Sequence, residues 1–288
     1  MKIGIALPIF GKYAGREEIM EAALAAEALG YDSIWVSDHV VVPDSHNVFG
    51  DVFFDPLISL GFIASATSRI ELGTSVIVLP YRNPLVLAKS VSSLDALSGG
   101  RVVLGVGSGW LKGEFDALGV DFARRGQMTD EYIEIMKELW TSDSPSHEGE
   151  YFSFTGIRFE PKPVRKPHPP VWVGGESRRS IERAVTHGDG WHPVGLGPEE
   201  LAAKAREVRS LLPDEKRESF VISLRRNVEI NEGREFGPEE TLRGTPGKIR
   251  DGIEAYREAG VDHLILYVLS GEFEGVLRTM RVLREEVL

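Results

Sequence analysis

The sequence predicts an α/β fold, a closed (β/α)8 TIM barrel, on two observations. Eight short apolar runs, each followed by a helix-like stretch, fill the 288 residues almost end to end. Polar and glycine clusters sit where those runs stop. In such a barrel the working residues lie at the C-terminal ends of the strands. A doubly wound sheet fits less well, because eight units and this length match closure. The chain therefore reads as one barrel domain over residues 1–288, with an insertion at about 142–169.

The elements follow in order. Residues 3–9 form a continuous apolar run, as expected of a strand buried on both faces. Ile19, Ala22, Ala23, Ala26 and Leu29 share one helical face, closed by Gly30. Residues 33–37 make the second strand, and after a long loop residues 56–67 have helical spacing. Residues 70–79 make the third strand, 85–97 the third helix and 101–106 the fourth strand. Tyr132, Ile135, Met136, Leu139 and Trp140 mark the fourth helix.

The cycle then breaks. Residues 142–169 carry five prolines and several aromatics, with Tyr151, Ser153 and Thr155 alternating as in a small hairpin. Strand five is 171–173 and its helix 177–187. A weak strand six spans 190–194, helix six 201–211 and strand seven 220–230. Thr245 reads as an N-cap with Pro246 at the first helical position. Strand eight spans 263–269, and Phe273, Val276, Leu277, Met280 and Leu283 line a final amphipathic helix.

Composition narrows the function. The net charge of −11 repels nucleic acid and anionic membranes, so neither is an expected partner. Any anionic ligand needs a local positive site such as a helix N-terminus. With no cysteine, disulfides and thiolate catalysis are excluded. Met1 runs straight into a strand with no signal-like stretch, and no apolar run approaches membrane-spanning length, so a cytoplasmic protein is expected.

The strand ends supply the candidate chemistry. Asp38 and His39 end strand two, where an imidazole can exchange a proton near neutral pH. The seven histidines never pair as His-x-His or His-x-x-x-His, so no metal site is expected. Gly73 inside strand three marks a bulge or the close approach of a ligand, or a local packing accommodation. Gly105-Val106-Gly107-Ser108-Gly109-Trp110 could form an anion nest, although it is no dinucleotide fingerprint. Gly174-Gly175-Glu176-Ser177 leads at once into a helix and is well placed for phosphate. Phe10, Trp110, Trp191 and His192 are candidates for the wall around a flat substrate or cofactor, whereas Trp35, in mid-strand, reads as core.

Together these motifs resemble the bacterial luciferase-like oxidoreductases. The likeness is carried by Ser37-Asp38-His39, Leu72-Gly73-Thr74-Ser75-Val76 and Pro84-Leu85-Val86-Leu87-Ala88-Lys89. It continues through Arg101 to Trp110 with Glu114-Phe115, and Val171-Trp172-Val173-Gly174-Gly175. The superfamily uses FMN or the deazaflavin coenzyme F420, and the Ser-Asp-His strand end is similar to the deazaflavin branch. The resemblance implies that Asp38 helps seat the cofactor and that His39 is the acid–base residue or stabilises charge on the substrate. Ser75-Val76 would match the family's non-prolyl cis peptide behind the ring. Gly107, Ser108, Gly174, Gly175, Glu176 and Ser177 would line the cofactor tail.

The sugar-phosphate dehydrogenases of this branch carry a glutamate directly after the strand-four glycines, and lysines and an arginine for the substrate phosphate. Here Ser108-Gly109-Trp110 occupies that stretch, Glu114 comes later, and the phosphate-binding residues have no match. The expectation is an F420-dependent dehydrogenase or reductase, a homodimer by resemblance, acting on a small organic substrate. The alternatives are an FMN-dependent monooxygenase and a non-catalytic flavin- or deazaflavin-binding protein.

Overall fold

The computed structural model describes residues 1–44, 50, 52–231 and 241–288. The chain runs β1 (Lys2–Ala6), α1 (Arg16–Ala28), β2 (Ser33–Val36), α2 (Pro56–Ala64), β3 (Glu71–Thr74), β4 (Ile77–Val78) and α3 (Pro84–Ser98). It continues through β5 (Val102–Gly107), α4 (Lys112–Leu118), α5 (Arg125–Thr141), β6 (His147–Glu148), β7 (Ser153–Phe154), β8 (Val171–Gly174) and α6 (Arg178–His187). The remainder is β9 (Gly190–His192), α7 (Pro198–Leu211), β10 (Val221–Ile230), β11 (Thr241–Gly244), α8 (Pro246–Glu258), β12 (His263–Val268) and α9 (Phe273–Val282).

The strands close on themselves. In parallel register, β12 pairs β1, and the ladder proceeds through β2, β3 with β4, β5, β8, β9 and β10 back to β12. This is the predicted barrel. Four helix starts carry a side-chain cap. The Asp55 and Asn83 side chains cap α2 and α3 with proline at the first helical position. Ser177 and Thr245 cap α6 and α8. The insertion holds the expected small hairpin, β6 against β7. Three features differ from the sequence reading. Helix α4 intervenes before α5, β11 adds to the far end of β10, and the third strand is broken at residues 75–76. The break is a cis peptide between Ser75 and Val76.

Helices pack outside on a continuous apolar shell, and a separate small cluster fills the barrel: Ala6, Trp35, Val103, Trp172 and Ile265. Alternate strand residues face inward. Trp35 and Trp172 stack across the lumen with centroids 5.1 Å apart. Their bulk explains the inward glycines. A methyl on Gly73 would lie 2.4 Å from the Trp35 ring, and one on Gly4 2.5 Å from its Nε1. A methyl on Gly190 would lie 2.7 Å from Trp172. Of the two sequence readings for Gly73, packing is therefore the one the structure supports. Below the indoles, His263 Nε2 shares a hydrogen bond with Ser33 Oγ at 2.7 Å, and Trp35 Nε1 donates to the same hydroxyl.

Two predictions follow from this interior. Gly73→Ala should cost about 1–3 kcal/mol by overpacking, whereas Gly61→Ala on α2, with nothing within 4 Å of the added methyl, should be neutral or stabilising by about 0.5–1 kcal/mol. Urea midpoints of the two variants decide this, and equal effects would refute the packing account. The second concerns acid. Burial pushes His192 down to about 3 and His263 down to about 4, from ordinary values of 6.5. Between pH 6.5 and 4 the unfolded chain therefore binds more protons than the folded one, and stability falls as pH drops. Each histidine contributes up to about 1.4 kcal/mol per pH unit. Urea unfolding across this window should show the slope; a flat profile would mean that both imidazoles charge in the folded state.

Candidate active site

At the C-terminal mouth of the barrel lies a cleft of about 960 Å³. It has two chemically distinct ends. One is bordered by Phe10, His39, Phe53, Tyr81 and Trp110, the other by Ser108, Arg125, Gly175, Ser177, Arg179 and Arg183. Between them the floor carries Ser75, Val76, Gly107, Gly174 and Arg225.

The ridge at Ser75-Val76 shapes that floor. A methyl on Gly105 would meet the Thr74 carbonyl oxygen at 1.9 Å, and one on Gly107 would meet Val76 at 2.7 Å. A methyl on Gly174 would lie 3.1 Å from the same valine. Gly105 and Gly107 thus make room for the neighbouring strand. Gly107 still borders the cleft through its backbone.

His39 follows β2 and is held by Glu114 of α4. Its Nδ1 lies 2.8 Å from Glu114 Oε2. The same carboxylate accepts the Val40 and Val41 N–H groups and the Tyr81 hydroxyl, the latter two at 3.1 and 3.0 Å. Burial pushes the Glu114 carboxyl up, but the bonds from His39, Val40 and Val41 outweigh it and hold it below the ordinary range. Glu114 was visible in the sequence only as part of a motif, because 75 residues separate it from its partner.

Asp38 points the other way. Its carboxylate is fully buried, accepts the Val78 N–H at 2.9 Å and is bound by the Arg82 guanidinium. Arg82 also donates to Asp55, the cap of α2. Asp38 borders the cleft but braces the segment after the cis peptide. Glu176 is turned similarly, accepting the Val194 N–H at 2.8 Å.

The basic end gathers arginines that sequence reasoning missed, three of them on helices. Arg183 is paired with Asp130 and reaches Ser108 Oγ at 3.4 Å. Arg125 stacks on Phe122 and donates to the Gly109 carbonyl at 3.2 Å. Exposed Arg179 lies in the first turn of α6, whose N-terminus directs N–H groups to the same place. Gly175, at φ 107°, leaves no room for a side chain against Ser180.

Arg225, on β10, is half-buried. It donates to Ser37 Oγ at 3.1 Å and to the Ser75 carbonyl at 3.4 Å, and its guanidinium lies over Tyr267. Burial works against its charge, and among the described residues no carboxylate pairs with it. A ligand carrying electron-rich oxygen or nitrogen atoms would relieve that.

The aromatic candidates divide. Phe10 is sandwiched between Phe53 and Tyr267, with centroids 5.0 and 5.6 Å away and nearly parallel planes. Trp110 is 59% exposed on the rim, edge-on to His39. Trp191 does not reach the cleft: it is completely buried in the outer core, and its Nε1 donates to the Gly175 carbonyl. Its neighbour on β9 therefore faces inward, yet His192 is also fully buried, beneath Ser75. Trp191 forms no part of the cleft wall, whereas His192 lines the cleft without exposed surface. Strand alternation was the available signal, since only one of two adjacent residues can face the lumen.

Comparison with known proteins agrees with this architecture. The family model described as luciferase-like monooxygenase matches residues 1–235. An uncharacterized protein of Mycobacterium tuberculosis is 33% identical over 261 residues, covering 82% of this chain and 90% of its own length. Monooxygenase RslO1 from Streptomyces bottropensis superposes with a TM-score of 0.85 at 26% identity, over 100% of this chain and 98% of that one. An F420-dependent secondary alcohol dehydrogenase, solved with an F420-acetone adduct, has the same fold, with a TM-score of 0.84 at 21% identity over 99% and 98% of the two chains. With the family model spanning most of its length, the chain belongs to the luciferase-like monooxygenase family.

Proposed function

We propose that this chain is an oxidoreductase that holds coenzyme F420 in the cleft and transfers a hydride between it and a small organic alcohol or carbonyl compound. The observation that carries the reading is the His39–Glu114 pair at the aromatic end of a cleft whose other end is basic. A flat heterocycle with an anionic tail suits both ends. Arg125, Arg179, Ser177 and the α6 N-terminus would hold the tail, and Arg225 and Ser75 would meet the ring.

A bound deazaflavin supplies a carbon that accepts or gives up a hydride. The protein must then manage the substrate proton. With Glu114 ionised, His39 Nδ1 carries the proton that bridges the pair, and Nε2 is the nitrogen that exchanges one. His39 takes the hydroxyl proton as the carbinol carbon loses its hydride, and returns it in the reverse direction. Phe10, Phe53 and Trp110 exclude water beside it.

A second reading, an FMN-dependent monooxygenase, is favoured by the likeness to monooxygenase RslO1. Fluorescence titration of the protein with oxidised F420 and with FMN separates the two. Tight F420 and weak FMN binding is expected. The reverse moves the assignment to the monooxygenase, and binding of neither overturns the cofactor reading.

His39→Ala should retain cofactor affinity and lose about 10²–10⁴ in turnover; unchanged turnover removes His39 from the mechanism. Glu114→Ala should cost about 2–3 kcal/mol in urea unfolding, because it removes the charged acceptor of His39 and of the Val40 and Val41 N–H groups, whereas Tyr81→Phe should cost about 1 kcal/mol. Equal stability in both variants would contradict a buried anchor at Glu114.

A further inference from the structure

His192 has no exposed surface. Its ring stacks on Trp35 at 5.6 Å and 15°, which fixes the ring plane. Nδ1 lies 2.6 Å from Ser223 Oγ and Nε2 lies 2.8 Å from Ser75 Oγ. Ser223 in turn donates to the Trp191 carbonyl at 3.3 Å. Ser75 and His192 both border the cleft, with Ser75 bonded to the histidine's Nε2.

Proton counting orders the row. A neutral imidazole has one N–H and one lone pair. Complete burial, with Arg225 nearby, keeps this one neutral. The Ser223 proton is committed to the Trp191 carbonyl, so His192 Nδ1 must donate to Ser223; otherwise two lone pairs would face each other at 2.6 Å. Nε2 is then the acceptor, and the Ser75 hydroxyl donates to it. The Ser75 oxygen retains only lone pairs for the cleft.

We infer that His192 is a positioning residue that commits the Ser75 proton inward and so makes Ser75 Oγ a hydrogen-bond acceptor facing the bound ring. The inference rests on the cleft holding a flavin or deazaflavin. Reduction of such a ring adds an N–H donor, and an acceptor in the floor favours that form. Arg225, which donates to the Ser75 carbonyl and borders the same floor, supplies the complementary donor for ring oxygen or nitrogen.

The first test needs no cofactor. Nitrogen-15 NMR of the His192 ring in the wild-type protein should show a protonated Nδ1 and an unprotonated Nε2; the opposite tautomer overturns the inference. The second compares affinities for reduced and oxidised F420, and for reduced and oxidised FMN, under anaerobic conditions. His192→Phe retains a ring against Trp35 but removes the acceptor, and should lower the preference for the reduced form about fivefold, the effect of one hydrogen bond. His192→Gln, which can still accept from Ser75, should restore most of it. Ser75→Ala leaves His192 in place and should give the same loss, which covers failure of the phenylalanine variant to fold. An unchanged ratio in Ser75→Ala overturns the inference. Failure of every variant and of wild type to bind either cofactor overturns the cofactor reading instead, while the NMR result still decides the order of the protons.

Discussion

The stacked indoles of Trp35 and Trp172 are the constraint on which the barrel and its site both depend. Barrel interiors are filled by side chains, and most use β-branched residues in even layers. Here two large planes take that volume, and Gly4, Gly73 and Gly190 give it up on the flanking strands. The consequence runs upward. His192 lies flat on Trp35, Ser75 rests on His192, and the cleft floor rests on Ser75. It also runs downward, since His263 meets both indoles edge-on. A shift of the indole pair would move the floor of the site with it, because packed interiors transmit strain.

Most of the architecture was legible in the sequence because it obeys two periodicities. Strand runs without alternation, such as 102–107, mark burial on both faces, and the 3.6 spacing of α5 and α9 is plain. The cap at Thr245 also announced itself. What could not be read was which glycine serves a ligand and which serves a neighbour. Gly105 and Gly107 look like a cradle in sequence, but their space is taken by Thr74 and Val76 from the preceding strand. That contact depends on the break at residues 75–76, which leaves no local mark in composition.

The candidate site was legible where one strand end supplied it and obscure where distant segments met. His39 stood out by position, whereas its partner Glu114 comes from a short helix after β5. Asp38 lies next to His39 in sequence, yet it is committed to Arg82 and the Val78 N–H. The arginines of the cleft come from α5, α6 and β10, and only the fold brings them to one place. At a net charge of −11 the overall field is negative, but the local field beside them is not.

Two histidines border the same cleft, and their surroundings divide the work. His39, partly open and tied to an ionised carboxylate, lies where a proton can enter or leave. His192 has no carboxylate partner, sits between two serine hydroxyls and lies near Arg225. Water and counter-charge are what a proton acceptor needs, and only the first site supplies them. The second site instead offers a neutral ring whose one proton and one lone pair give direction to a row of hydroxyls. In the proposed reaction one residue type would serve as proton carrier at the mouth and as a fixed polar spacer in the floor. The difference is set by Glu114 above and by Trp35 below.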